Sequence, residues 1–225
     1  MSEWWYVHKE KSANTKSSLW YCCMVTAKEA LAHELFSIGA VKLGEFKLKS
    51  GLLSPIYVDL RILVSYPATL KKIAHELNVL AQGISYSRVA GLPYAAIAIA
   101  TAMSIDSNKP MIYPRKEVKD YGTKKPIEGV FNKGDVVLVV DDLITTGDSK
   151  TELIAPLTEN GLIVKDIVVI LDREQGGKAY LKEHGFELHA LLGMREFLLA
   201  LKNGNKITSE QYETVAKYIA SFDNK

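Results

Sequence analysis

VVLVVDDLITTGDSKT, running from Val136 to Thr151, is the stretch whose reading decides the rest of the chain. Its first five residues are apolar and mostly β-branched, the composition of a parallel strand covered on both faces. The run ends at Asp141 and Asp142, and a short Leu143-Ile144 step follows. Next comes a cluster of hydroxyls around a glycine: Thr145, Thr146, Gly147, Asp148 and Ser149. A helical pattern is predicted from Thr146 to Asn160. A loop of this kind at a helix N-terminus turns backbone N–H groups and hydroxyls outward and forms an anion site. Two acids, a phosphate cradle and a strand end within a dozen residues point to a phosphorylated sugar bound together with a metal.

Alone, two acids after an apolar strand are equally a plain polar terminus, or the acidic strand of a P-loop protein. The chain contains no GxxxxGK[ST], which removes the P-loop family, and no GxGxxG, which weakens a dinucleotide fold. Its 225 residues, 48% of them apolar, can bury one good core, so a single α/β domain with an N-terminal appendage is expected. Lys and Arg number 28 against 26 Asp and Glu, and a net charge of +2 favours no class of partner. Cys22 and Cys23 are sequence neighbours, so no disulfide framework is expected, as in a reducing cytoplasm. The longest apolar stretch, Val89–Met103, is interrupted by Gly91 and Pro93 and is too short to span a bilayer. The first 25 residues hold Trp4, Trp5 and Trp20 but also Glu3 and Glu10, unlike a secretory leader. Residues 1–23 are expected to be a dispensable extension and residues 24–225 the domain, with Met24 near the functional start.

Thr26-Ala-Lys-Glu29 fits a capping box and predicts a helix start, with Gly39 as its stop. An alternating segment from Phe46 to Gly51 and a short strand from Pro55 to Asp59 come next. Pro67 opens a helix reaching Gln82-Gly83. Arg88–Leu92 and Met111–Pro114 read as strands around an Ala/Ile-rich helix that ends near Ser104. Beyond the opening motif, Pro156 should kink its helix or mark a late break. Lys165–Leu171 and Glu187–Leu192 read as strands, and Lys178–His184, Arg195–Lys202 and Thr208–Phe222 as helices. Alternation of this kind gives a doubly wound, mostly parallel sheet.

Arg115–Gly129 follows a strand directly and gathers Arg115, Lys116, Lys119, Lys124 and Lys125. Without context such a run is a solvated face. Hung on a sheet edge and ending in a glycine, it reads as a mobile lid whose cations suit a pyrophosphate and whose closure excludes water. Nucleic acid would call for interleaved aromatics, which are missing.

An apolar strand, two acids, two residues and then T-T-G-D-S is similar to the phosphoribosyl pyrophosphate (PRPP) signature of type I phosphoribosyltransferases. RKExKxxG after a strand, F-K-L-K-S-G from Phe46 to Gly51 with Ser54-Pro55, and L-D-R-E-Q-G-G from Leu171 to Gly177 resemble orotate phosphoribosyltransferase. The wording is similar to the transferase half of the bifunctional UMP synthase of eukaryotes. No D-x-K-x-x-D motif of the decarboxylase half occurs, so the transferase alone is expected.

The resemblance implies a type I phosphoribosyltransferase α/β fold with a small N-terminal hood. It also implies formation of orotidine 5′-phosphate, a step of pyrimidine and UMP biosynthesis, by a pentosyl transferase that uses Mg2+ bound mainly through PRPP. Lys49 would contact pyrophosphate, Tyr57 and Val58 would lie beside orotate, and Tyr94 would sit near PRPP. Arg115, Lys116 and Lys119 would bind pyrophosphate, Lys119 assisting its departure. Asp141 and Asp142 would hold the ribose hydroxyls, Leu143 and Ile144 would lie in the PRPP motif, and Thr145–Ser149 would take the 5-phosphate. Arg173 would pair with the orotate carboxylate. Ala95 and Tyr121 replace a lysine and a histidine of many bacterial members, so Tyr121 is expected to hydrogen-bond rather than to move a proton. A cytoplasmic homodimer with lids shared between subunits is implied, without nucleic acid or membrane. Other phosphoribosyltransferases should lack the FKLKSG and LDREQGG segments, and a PRPP-sensing regulator would usually add a DNA-binding module.

Overall fold

The computed structural model describes residues 16–47, 51, 53–116 and 125–223, with side chains from Ala27 onward. Val136–Ile144 forms β6, the strand at the centre of a six-stranded sheet ordered β5-β4-β3-β6-β7-β8. The other members are β3 (Arg88–Gly91), β4 (Met111–Pro114), β5 (Ile127–Glu128), β7 (Ile163–Asp172) and β8 (Glu187–Gly193). All neighbours are parallel except β5, which runs antiparallel to β4 at the edge. That edge strand lies within the charged segment read as a lid. Two residues between Gly129 and a run of lysines carry too little periodicity to be read as a strand.

β6 explains the layering. Leu138 and Val140 pack into a large core with Ile99 and Met103 of α3 (Ala95–Ser107), Ile73 and Leu77 of α2 (Pro67–Leu80) and Phe197 of α6 (Met194–Asn203). Val137 and Val139 pack into a second core with Ile154 and Leu157 of α4 (Asp148–Glu159) and Leu181 of α5 (Gly177–Glu183). Alternate residues of one strand thus fill two cores, as a strand buried on both faces must. A separate antiparallel hairpin, β1 (Val41–Lys47) with β2 (Leu53–Val58), forms the hood.

Two expectations need correction. α1 spans Lys16–Ser37, so Thr26 lies inside the helix and does not start it. No glycine or proline stands between Lys16 and Gly39 to stop a helix from beginning earlier. Of the expected extension, residues 1–15 lie outside the described residues and residues 16–23 are the first turns of α1. Pro156 sits in the last turn of α4, which ends at Glu159, so it marks the late break that the sequence offered. β6 includes Asp141–Ile144, and α4 starts at Asp148 rather than Thr146.

The expected C-terminal cap is present. Thr208 Oγ1 accepts the Gln211 N–H at 3.1 Å, and Gln211 Oε1 accepts the Thr208 N–H at 2.9 Å, opening α7 (Ser209–Ala220). Replacing Thr208 by Ala should lower the unfolding free energy by about 1 kcal/mol in a urea titration, with an unchanged m-value.

Candidate active site

β3 continues into β4 on one side of the sheet and β6 into β7 on the other, so the winding reverses between β3 and β6. Ligands of open α/β sheets bind outside the carboxyl ends of the strands at such a point. Here the two strand ends are close: the Leu92 N–H donates to the Val140 carbonyl at 3.0 Å, one residue before Asp141. A Cβ on Gly91 would stand 2.8 Å from the Ala96 carbonyl oxygen, so only glycine lets α3 begin this close to the strand end.

Asp141 extends the odd-numbered series Val137 and Val139 toward α4. It is buried at 4% exposure and forms an ion pair with the Lys150 ammonium in the first turn of that helix. Its Oδ1 accepts the Asp142 N–H at 2.8 Å, and Asp142 Oδ1 accepts the Leu143 N–H at 2.8 Å. Across these two residues the alternation resets. Leu143 packs with the large core that holds Leu138 and Val140, and Ile144 packs with the other. Burial pushes the Asp141 carboxyl up from its ordinary 3.8 to about 7; Lys150 opposes the rise and Asp142 adds to it.

The turn from β6 into α4 is clamped against the turn from β7 into α5. The Gly177 N–H donates to the Thr145 carbonyl at 2.9 Å, and the Arg173 N–H to the Ile144 carbonyl at 2.9 Å. A Cβ on Gly177 would lie 2.5 Å from that Thr145 oxygen. Gly147 takes a left-handed φ of 98° as the residue before α4. Thr146, Asp148 and Ser149 are exposed around it, Thr145 and Leu143 are half-buried, and Ile144 is buried. The phosphate cradle read from the sequence is therefore a surface-facing loop at a helix start, with its backbone fixed from behind.

Arg173 is held by its neighbours. Asp172 Oδ1 accepts the Glu174 N–H at 2.8 Å, and Glu174 Oε2 accepts the Arg195 N–H at 3.0 Å at the start of α6. The Arg173 side chain is half-buried, and its Nε and Nη2 have no hydrogen-bond partner among the described residues. Burial lowers its proton affinity, and the Tyr218 phenol of α7 is near enough to oppose that. Tyr218 also lines a cavity of about 520 Å³ with Leu43, Ser54 and Pro55 of the hood. Tyr57 is partly exposed and its ring lies 5.4 Å from that of Phe46, tilted by 33°, beside half-buried Val58.

On the other flank Tyr94, Tyr113, Arg115, Lys116 and Glu128 line a cavity of about 240 Å³. Tyr94 is exposed, and Lys116 Nζ sits 5.4 Å from its ring centre. Arg115 is engaged in an ion pair with Glu128, which fastens the base of the charged segment to β5. Ala95 is the first residue of α3. Lys49, Lys119 and Tyr121 lie outside the described residues. Among the described residues no helix is long and apolar enough to cross a membrane.

Lys150, Glu128 and Tyr218 were given no role from the sequence. Lys150 was within reach of that reading: a cation in the first turn of a helix after a strand-loop-helix motif lies over the strand end. Glu128 and Tyr218 carry no local signal.

The orotate phosphoribosyltransferase of Caenorhabditis elegans is 38% identical over 188 residues, which cover 83% of this chain and 83% of that protein. The chain belongs to the orotate phosphoribosyltransferase family. Uridine 5′-monophosphate synthase of Bos taurus is 41% identical over 192 residues, 84% of this chain and 40% of that protein. The structure of Leishmania donovani UMP synthase superposes with a TM-score of 0.81 at 39% identity, covering 94% of this chain and 48% of that one. The chain thus spans less than half the length of these UMP synthases. No protein-family model matches it. The mostly parallel sheet is that of an orotate phosphoribosyltransferase, and the ends of β6 and β7 carry two of the motifs by which the sequence resembled that family.

A raised carboxyl pKa has a consequence for stability. Protonated Asp141 favours the folded state. That contribution is complete below about pH 4 and is lost as pH rises through about 7. Asp141→Asn removes the titration, so its melting temperature relative to the parent protein should climb steadily between pH 4 and pH 8. Calorimetry across that range checks this; parallel profiles would show that Asp141 does not titrate there.

Proposed function

We propose that this chain transfers the phosphoribosyl group of PRPP to orotate, giving orotidine 5′-phosphate and pyrophosphate. One observation carries the proposal: two carboxylates, an exposed hydroxyl-rich loop at a helix start and an arginine with unsatisfied donors share the carboxyl end of β6 and β7. An arginine whose buried Nε and Nη2 lack partners is ready for a planar anion. Orotate offers such a carboxylate, whereas adenine and guanine do not.

The reaction breaks the bond between ribose C1 and pyrophosphate as an orotate nitrogen approaches, through a sugar of oxocarbenium character. Such a centre needs placement and charge more than covalent help. We assign the ribose hydroxyls to Asp141 and Asp142 and the 5-phosphate to the N–H groups and hydroxyls of Thr145–Ser149. The orotate carboxylate falls to Arg173, with Tyr57 and Val58 beside the ring. Lys116 and Tyr94 line the pyrophosphate side, where Lys49 and Lys119 would add their charge. Lid closure would exclude water, which otherwise captures the sugar cation.

The donor set suits a Mg2+ ion that arrives on the substrate's own oxygens. Asp141 is already paired with Lys150, which leaves the substrate's own oxygens to carry the ion. When bound, the ion neutralises charge on the departing pyrophosphate. The proposal extends to a cytoplasmic homodimer whose lids serve the neighbouring subunit's site.

Mixing the protein with orotate, PRPP and Mg2+ should deplete orotate absorbance; turnover of adenine or guanine instead would sink the assignment. Lys119→Ala should reduce kcat by roughly 10²–10³-fold with little change in orotate KM, and equal losses in both would remove its leaving-group role. We further propose that residues 1–23 are dispensable. Their deletion should leave turnover unchanged, because the remaining part of α1 keeps buried Leu31, Ala32 and Leu35. Loss of folding would end that reading.

A further inference from the structure

Lys150 lies outside every role assigned above, yet it is among the more constrained cations of the molecule. Its side chain is 13% exposed and its partner's is 6% exposed. The groups charged toward Asp141 are Lys150 from α4 and Asp142 on the same strand. β7 sets Val169 beside it, and β3 sets Gly91 beside Val140; neither is titratable. Lys150 is therefore the counter-charge that opposes burial. It also belongs to the turn that carries the phosphate loop, since its N–H donates to the Gly147 carbonyl at 2.8 Å.

We propose that Lys150 is a positioning residue for PRPP: its ammonium opposes protonation of the buried Asp141 carboxyl, keeps it aimed, and ties the ribose-binding strand to the phosphate-binding loop. The physical logic has two parts. A carboxylate this deeply buried stays charged only beside a cation, and an uncharged acid is a weaker acceptor for sugar hydroxyls. The pair also joins β6 to α4 across the loop, so the acid and the cradle move as one unit. Lys150 itself contacts no reacting atom in this reading; it acts through Asp141.

The proposal rests on Asp141 being a ribose ligand, so the experiment separates the two ideas. Isothermal titration of the parent protein with PRPP comes first, and failure to bind would strike at the ribose reading itself. For Lys150, kcat/KM for PRPP is followed from pH 5.5 to 9. Lys150→Met should move the acid limb upward by about one pH unit or more, costing about tenfold near pH 6 and recovering at high pH. Lys150→Arg, which keeps the cation, should restore the parent profile. A uniform loss at every pH, with the limb unmoved, overturns the proposal and leaves Lys150 a structural residue. A second arm covers a Lys150→Met protein that fails to fold. Asp141→Asn and the double variant Asp141→Asn/Lys150→Met leave no buried carboxylate uncompensated, and the two should bind PRPP equally. A further tenfold loss in the double variant would show that Lys150 acts on substrate without Asp141 and would overturn the proposal.

Discussion

A buried carboxylate at the end of a central parallel strand is the constraint around which this molecule is arranged. β6 reaches the edge of both cores with its last residues still covered, and at that depth a charge must be compensated or given up. Asp141 meets the demand with an ion pair from α4 and the N–H of Asp142. Because α4 supplies the cation, its first turn, and with it the Thr145–Ser149 loop, is drawn over the strand end. The phosphate cradle and the acidic pair are consequences of one packing solution.

The same strand end fixes the neighbours on both sides. Toward β7, the Ile144 and Thr145 carbonyls accept N–H groups from Arg173 and Gly177, so the second turn cannot shift without the first. Toward β3, Leu92 bonds to Val140 and glycine at 91 lets α3 start at once. Substrate groups would thus meet a floor of turns bonded to one another, with the hood hairpin forming its own two-stranded sheet and Arg115 paired with Glu128 where the charged segment begins.

Arg173 sits in a turn that its neighbours hold in place. Asp172, Glu174 and Gly177 anchor the backbone around it, and Tyr218 comes from α7, far away in the chain. The thermodynamic cost of leaving buried guanidinium donors unpaired is a reason to expect a ligand there.

The sequence by itself determined a doubly wound, mostly parallel sheet, the strand that starts at Val136 and the family, while the strand order and the edge strand β5 came from tertiary pairing. Apolar runs of β-branched residues have few alternatives to buried strands, and the acids, hydroxyls and glycine after Val140 form a local motif whose geometry is set by nearest neighbours. Thr208 and Gln211 are legible for the same reason, since a capping box spans four residues. Boundaries were less legible. β6 swallowed Asp141–Ile144 because β7 pairs with them, and α1 began before Thr26 because nothing in the chain stops it. What only the tertiary structure decided are the partnerships between distant residues: Arg115 with Glu128, Arg173 with Tyr218, and Asp141 with Lys150. The last pair lies inside the opening stretch, yet burial gives it meaning, and burial is a property of the whole packed sheet rather than of one segment read in a line.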